Sequence, residues 1–238
     1  MRDTIKNSSY FKRYLEYENS RIEKFEKAVN KVIGERGILD RGVQSGLRSI
    51  EGFYFNSLIA SYSSGAPLER IIELFPKVLH SMKPVWNSDR GYVEMVWMIS
   101  IGIMLDIQED EMLELKKMVE EDGLKDCLIN FLFSYINKDW EEGTQNFKFE
   151  IPYKYLENVI NASNNSESLT HLKSYLLNKW YHGHKDTGWY DTHKSKVDIY
   201  SGYWSFESGA IAKILELDDQ ILKDVPYYPY DMVHYLKD

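Results

Sequence analysis

The chain has 238 residues, of which 43 % are hydrophobic and 14 % aromatic, so it can bury a sizeable core as one large domain or two smaller ones. Its 29 Lys and Arg against 37 Asp and Glu give a net charge of −8. That balance argues against nucleic acid as a direct ligand, because phosphate contacts need a basic footprint. A single cysteine, Cys127, excludes a disulfide within the chain and fits a reducing compartment.

The charge is unevenly distributed along the chain. Residues 1–50 hold 11 Lys and Arg against 7 Asp and Glu, a net of +4, so residues 51–238 carry −12. An acidic body attracts a basic partner, such as an enzyme that itself binds DNA. Ordinary solubility accounts for the same charge, and both interpretations stay open at this point.

No targeting or membrane segment is expected. The N-terminus, Met1–Lys6, is polar and lacks the apolar run of a signal peptide. The most apolar stretch, Tyr92–Leu105, is shorter than the ~18 residues of a membrane span and contains Glu94. The sequence therefore predicts a soluble, cytoplasmic protein with no membrane partner.

Helical periodicity dominates the chain, because apolar residues recur at three- and four-residue steps between charged ones. This pattern predicts an all-α fold, a bundle of about nine or ten helices with a long ordered loop before the last core helix. The predicted helices span residues 4–35, 41–63, 67–82, 92–105, 109–120, 124–137, 152–162, 168–181 and 203–215.

Several segments depart from simple amphipathic helices. Pro76 lies inside the third predicted helix and should kink or split it. The segment 92–105 is apolar nearly all round, which predicts a position in the middle of a bundle. Residues 138–151 are the least helical, and their alternation suits a short strand or an extended crossing. We place a domain boundary after residue 83, giving units 1–83 and 84–238 that pack together as one compact unit.

The segment 182–200 is a long, polar and aromatic loop. Loops of this length in a compact domain are usually functional or tightly packed. Its candidate contacts for a partner protein are Asp186, Trp189, Tyr190, Asp191 and Tyr200. The alternative is that Trp189 and Tyr190 pin the loop to the core.

The sharpest candidate for chemistry is a histidine cluster in the same loop. His182, His184 and His193, with a nearby carboxylate, could bind zinc and support a metal-dependent enzyme. Their spacing matches no standard zinc signature, so we favour hydrogen bonding within the loop and predict no metal. We assign His193 and Glu207 to a polar core, because Glu207 has apolar or small neighbours and needs a polar partner.

Motifs for other chemistry are absent. Neither a nucleophile elbow nor a glycine-rich phosphate loop occurs, and Cys127 lies in an apolar run, where it should be a small buried hydrophobe. We therefore assign no catalytic residue and expect no cofactor. These residues on their own support a helical protein that binds another protein, with a helical adaptor as one alternative.

The chain resembles a known family in four strings of its C-terminal third and three of its N-terminal part. The C-terminal strings are Trp189-Tyr-Asp-Thr-His193-Lys, Tyr200-Ser-Gly-Tyr-Trp-Ser-Phe-Glu-Ser-Gly-Ala-Ile-Ala-Lys-Ile-Leu215, Leu217-Asp-Asp219 and Tyr227-Tyr-Pro-Tyr-Asp231. The N-terminal strings are Arg2-Asp3-Thr4, Glu16-Tyr-Glu-Asn19 and Tyr62-Ser-Ser-Gly65. These strings are similar to the two domains of the PoNe-immunity family.

The resemblance implies an immunity protein. Members of that family protect bacteria from polymorphic DNase toxins, which competing cells deliver, by binding the toxin in the cytoplasm. The expected partner is therefore a cognate nuclease toxin, neutralised by direct stoichiometric contact without catalysis. A homodimer is left open.

Overall fold

The computed structural model describes residues 1–137, 140 and 144–236. Over these residues the fold is all-helical, with about ten helices and no strand, which confirms the predicted fold class. None of the helices in this described part is long and apolar enough to cross a lipid bilayer. The principal helices are α1 (Ser8–Arg36), α2 (Arg41–Ser63), α3 (Leu68–Met82), α4 (Ser88–Met104), α5 (Glu109–Asp122) and α6 (Cys127–Ile136).

The later part of the chain consists of shorter helical pieces. They are α7 (Glu150–Tyr153), a 3₁₀ turn (Lys154–Leu156), α8 (Glu157–Ile160), α9 (Asn165–Tyr175), a π-helical segment (Leu176–Trp180), α10 (Tyr181–Gly183), α11 (Phe206–Ile214) and α12 (Tyr230–Val233). Two further 3₁₀ turns cover Thr192–Lys194 and Asp219–Leu222.

Side-chain caps set the first two helix starts. The Asn7 side chain accepts the Tyr10 N–H, so α1 begins four residues later than its apolar pattern predicts. α1 ends before Gly37, whose φ of 81° is in the left-handed region. Asp40 then accepts the N–H groups of Gly42 and Val43 and starts α2 at the predicted residue.

α3 and α4 test two expectations from the sequence. α3 continues through Pro76 without a break, so the chain is not split there. Pro76 is exposed, and the apolar residues of α3, such as Phe75 and Val78, pack on its buried side. In α4 and the following residue, 95–105 are all buried, as the apolar composition of this segment predicted.

The segment that precedes α7 forms neither helix nor strand over its described residues, 144–149, so the short strand is absent there and the extended crossing stays a prediction. Asp126 holds it in place, because its carboxylate accepts the Lys148 N–H at 2.7 Å, the Ile129 N–H at 3.0 Å and the Tyr92 O–H at 3.0 Å. The same prediction, made for residues 138–151, also covers residues 138, 139 and 141–143, which lie outside the described part. Cys127 is only partly buried, because it sits at the first turn of α6, so the expectation of a fully buried thiol is wrong.

The fold consists of two compact units, each made from two chain segments. Unit 1 contains residues 1–90 and 191–202, and unit 2 contains residues 91–190 and 203–238. The predicted boundary after residue 83 stays a prediction. Unit 1 holds 17 Lys and Arg against 13 Asp and Glu, a net of +4, whereas unit 2 holds 12 against 24, a net of −12. The excess of negative charge therefore belongs to unit 2.

Unit 1 is built on α2, which packs against both α1 and α3. The returning segment 191–202 is fixed to these helices by backbone and hydroxyl groups. The Tyr10 hydroxyl donates to the Tyr200 carbonyl at 2.9 Å and accepts the Tyr200 N–H at 2.8 Å, and the Ser63 hydroxyl donates to the Ser201 carbonyl at 2.7 Å. Buried polar groups paired in this way fix the path of the segment.

Candidate functional site

Trp189 anchors the unit 2 part of the long loop in an aromatic core. Its ring centre lies 5.0 Å from that of His184, 5.5 Å from Trp180 and 5.6 Å from Trp97. Aromatic pairs at these separations stabilise a structure beyond the area they bury. The indole therefore pins the loop to unit 2, which is the alternative that the sequence left open for this residue.

His184 is a structural residue of the same core. Its Nδ1 lies 2.6 Å from the Trp180 carbonyl and its Nε2 lies 2.9 Å from the Tyr153 hydroxyl. A carbonyl only accepts, so Nδ1 carries the proton and Nε2 accepts from the tyrosine. Burial lowers the pKa of His184 to about 4, so the imidazole is neutral at pH 7.

The alternative of a metal site built on His182, His184 and His193 finds no support, because both ring nitrogens of His184 are engaged in hydrogen bonds within unit 2. Among the residues that the structure describes, no group of three or more His, Cys, Asp or Glu side chains is placed to hold a metal ion.

Tyr181 lies at the centre of a cluster of four tyrosines, which we call the tyrosine surface: Tyr181, Tyr190, Tyr203 and Tyr227. The ring of Tyr181 is 4.6 Å from Tyr190 and 5.1 Å from Tyr203, and it stacks on Tyr227 at 5.6 Å with an interplanar angle of 9°. Tyr203 is buried, and the other three rings are partly exposed. The cluster therefore offers an aromatic surface with polar hydroxyl tips, a combination common in protein interfaces.

Two local distortions of the backbone place these rings. The π-helical segment Leu176–Trp180 directs Trp180 into the core immediately before the partly exposed Tyr181. π-Helical turns are rare and often lie at functional sites. Tyr227 has a φ of +71°, an uncommon conformation for a bulky residue, and its carbonyl accepts the Ser205 N–H at 2.8 Å. Such conformations persist only where the surrounding structure holds them.

Asp186 and Glu94 are two carboxylates of unit 2. Asp186 is exposed and Glu94 is partly buried, and neither pairs with a cation among the described residues. Asp186 lies in the turn that leads from His184 to Tyr190, where the Thr187 N–H donates to the His184 carbonyl and the Tyr190 N–H donates to the Thr187 carbonyl. Burial raises the pKa of Glu94 to about 7, because no positive charge offsets its desolvation.

Glu207 lies in the polar core of unit 2. It is fully buried, and its Oε1 accepts the Ser205 O–H at 2.8 Å and the Tyr175 O–H at 3.0 Å. Neither its Oε2 nor the Nε1–H of Trp180 makes a hydrogen bond of standard geometry, but the indole and the carboxyl group lie close enough to interact with each other. Burial raises the pKa of Glu207 to about 6. This arrangement holds α9 against α11 and leaves the carboxylate out of reach of a partner protein.

The remaining candidates, Asp191, His193 and Tyr200, belong to unit 1. Asp191 is partly exposed and binds Lys194 Nζ at 2.8 Å, and the His193 ring lies 6.3 Å from that of Tyr200. Tyr200 is 1 % exposed and donates its hydroxyl hydrogen to Asp3. Its side chain has no surface to offer a partner in this structure. The five predicted contact residues are thus divided between the two units.

Sequence reasoning missed Tyr181 and Tyr227 as members of the site, and it missed the partial burial of Glu94. Tyr181 was assigned to the end of a predicted helix and Tyr227 to the tail, 46 positions later. A partial signal was available for Glu94, which is the single charge in the apolar stretch 92–105. A carboxylate in that position needs a polar partner or partial exposure.

Unit 1 contains a separate groove of about 410 Å³ between α1, α2 and α3. Its lining includes the apolar residues Val29, Leu47, Ile50 and Pro76, with Lys77 and His80 among its polar residues. This groove of unit 1 is a second candidate surface for a partner protein, and it can be tested beside the tyrosine surface of unit 2.

The fold is also found in a solved structure. The crystal structure of protein PA2201 from Pseudomonas aeruginosa superimposes with a TM-score of 0.65 and 14 % sequence identity, over 92 % of this chain and 87 % of that one. At this identity the likeness shows the fold alone. No curated protein sequence matches the chain significantly.

Two family models match consecutive parts of the chain. The N-terminal model of the PoNe immunity proteins (PoNi) matches residues 2–117, and the C-terminal model of the same proteins matches residues 124–232. Together they cover nearly the whole sequence, in the order that the family has. The chain therefore belongs to the PoNe immunity protein family, a family of immunity proteins and not of enzymes.

Proposed function

We propose that this protein neutralises a cognate antibacterial DNase toxin by direct stoichiometric binding in the cytoplasm. The observation that carries the proposal is the family match over residues 2–117 and 124–232, because an immunity protein requires a toxin as its partner. No bond is made or broken in the proposed mechanism. The immunity protein remains bound to the toxin and prevents its attack on DNA.

The charge of unit 2 supports a nuclease as the partner. An enzyme that cleaves DNA must present positive charge to the phosphate backbone. Unit 2, with its net charge of −12, presents the complementary sign. Charge complementarity accelerates the association of two proteins, and added salt weakens that effect because it screens the interaction. We therefore expect an association rate that falls as the salt concentration rises.

The test is to express the protein together with the toxin encoded by the adjacent gene. We expect the pair to co-purify, to migrate as one species in size-exclusion chromatography and to protect the host cells from killing. In a nuclease assay, DNA cleavage should fall linearly as the immunity protein is added and stop at a fixed molar ratio. Killing that is undiminished by co-expression, together with no co-purification, would overturn the proposal.

Competition with DNA distinguishes two modes of inhibition. If the immunity protein covers the DNA-binding cleft, a duplex that the toxin binds without cleaving should slow formation of the complex. If it binds beside the cleft, the duplex should leave the association rate unchanged, after the ionic strength has been matched. Both results are compatible with stoichiometric neutralisation, and they differ in what the bound protein blocks.

A further inference from the structure

We infer that the toxin docks on the tyrosine surface of unit 2 and places an arginine or lysine side chain against Asp186. This inference rests on the proposed function and adds the surface and the chemistry of the partner. The occupant is a basic face of the toxin.

The tyrosine surface is rigid before any partner arrives. Tyr190 follows Trp189, which is fixed in the aromatic core, and its ring packs on Tyr181 at 4.6 Å. Tyr181 in turn stacks on Tyr227, whose backbone is held by Ser205. Side chains that are already ordered lose little conformational entropy on binding, so such rings contribute more to affinity than flexible residues do. Tyrosine is also among the residues that most often dominate interface energies.

Two rings of this surface are not covered by a cation. Elsewhere in unit 2 the Lys179 ammonium lies 4.6 Å from the centre of the Tyr155 ring, and Lys223 lies 5.6 Å from that of Tyr230. Over the described residues no Lys or Arg occupies such a position at Tyr190 or Tyr227. Tyr181 packs on both rings and the ring of Trp180 lies 4.7 Å from that of Tyr227, but Tyr190 and Tyr227 are both partly exposed. The exposed part of each ring can therefore contact a positive group from outside the chain.

The carboxylate of Asp186 points to the same kind of occupant. Asp186 is exposed in the turn before Tyr190 and has no cationic partner among the described residues, although unit 2 forms lysine–carboxylate pairs elsewhere, as between Lys154 and Glu150. A guanidinium or ammonium group of the partner would form a charge-assisted hydrogen bond with this carboxylate. An arginine can bind a carboxylate and stack on an aromatic ring at once.

The experiment measures the affinity of full-length variants for the toxin by calorimetry, with a catalytically inactive toxin as the probe. We expect Tyr190→Ala and Asp186→Lys each to raise the dissociation constant by about tenfold or more, since truncating an interface anchor or reversing a charge has effects of this order. Asp186→Asn should also reduce the salt dependence of binding, because one ionic contact is lost.

Matched controls come from both units. Tyr135 is 50 % exposed on α6, and Asp218 is exposed, so Tyr135→Ala and Asp218→Lys repeat the two changes elsewhere on unit 2. Lys77→Glu probes the groove of unit 1. We expect all three controls to bind within about threefold of the wild type, as is usual for positions outside an interface.

Each outcome bears on the inference. Wild-type affinity in both Tyr190→Ala and Asp186→Lys would overturn the docking surface and leave the proposed function intact, as would a loss confined to Lys77→Glu. If the wild-type protein itself does not bind the toxin, the proposed function fails and the inference with it. Should Tyr190→Ala unfold, as judged by circular dichroism, Asp186→Lys at its exposed position decides the question.

Discussion

The substitution Glu207→Gln tests the electrostatics of the unit 2 core. Glu207 is fully buried, and its pKa is raised from 4.5 to about 6. Between these two values the folded protein holds more protons than the unfolded chain, so the free energy of unfolding falls as the pH rises. The difference between these two pKa values corresponds to about 2 kcal/mol of folding stability, which is present below pH 4.5 and lost once the pH exceeds 6. Glutamine does not titrate, so the variant lacks this loss.

The assay is urea unfolding of both proteins between pH 4.5 and 7.5, followed by tryptophan fluorescence. We expect the stability of the variant relative to the wild type to improve by about 2 kcal/mol across this range. We also expect the variant to be less stable by an amount that does not depend on pH. The glutamine amide N–H would face the N–H of Trp180, and two donors cannot form a hydrogen bond with each other. His184 and Glu94 titrate in both proteins, so their contributions cancel in the difference. A difference that stays the same at every pH would refute the reasoning.

Two further pairs of variants test packing and capping, again by urea unfolding. Gly209→Ala should lose about 1–3 kcal/mol, because its methyl group would lie 2.5 Å from the Met104 sulfur, whereas Gly52→Ala in α2 meets no atom within 4 Å and should gain up to about 1 kcal/mol. Equal effects of the two glycine changes would contradict the close approach at Gly209. Asp126→Ala should lose about 3 kcal/mol or more, because three groups lose one buried acceptor, whereas Asn7→Ala removes a single cap bond worth about 1 kcal/mol. A loss at Asp126 no larger than that at Asn7 would mean that the buried network contributes little.

Local patterns were sufficient to predict most helices. The apolar period and the turn residues give α2 with both ends correct, because Asp40 caps its start and the sequence Ser64-Gly65-Ala66-Pro67 follows its end. The start of α1 was predicted four residues early, since the capping role of Asn7 competes with an apolar pattern that continues beyond it. Helix identity depends on neighbours in sequence, which is why it could be predicted.

The arrangement of the site could not be predicted in the same way. The loop 182–200 was recognised from its length and composition, but its division between two units depends on bonds to distant residues. Tyr200 contacts Asp3, which is 197 positions away, and Tyr181 stacks on a ring 46 positions later. No local periodicity reports such pairs. The loop was therefore identified correctly as a region of interest, and the residues that share a surface were not.

Residues 191–202 belong to unit 1, so a cut of the chain between the two family matches would divide that unit. A fragment that stops at residue 117, where the N-terminal family match ends, keeps α1, α2 and α3 and lacks this segment. The hydroxyls of Tyr10 and Ser63 would then lose the carbonyls of Tyr200 and Ser201, and Asp3 would lose the Tyr200 hydroxyl. Recombination between relatives at the junction of the two matches would exchange part of unit 1 along with unit 2. A chimera joined at that point would therefore carry a unit 1 drawn from two parents.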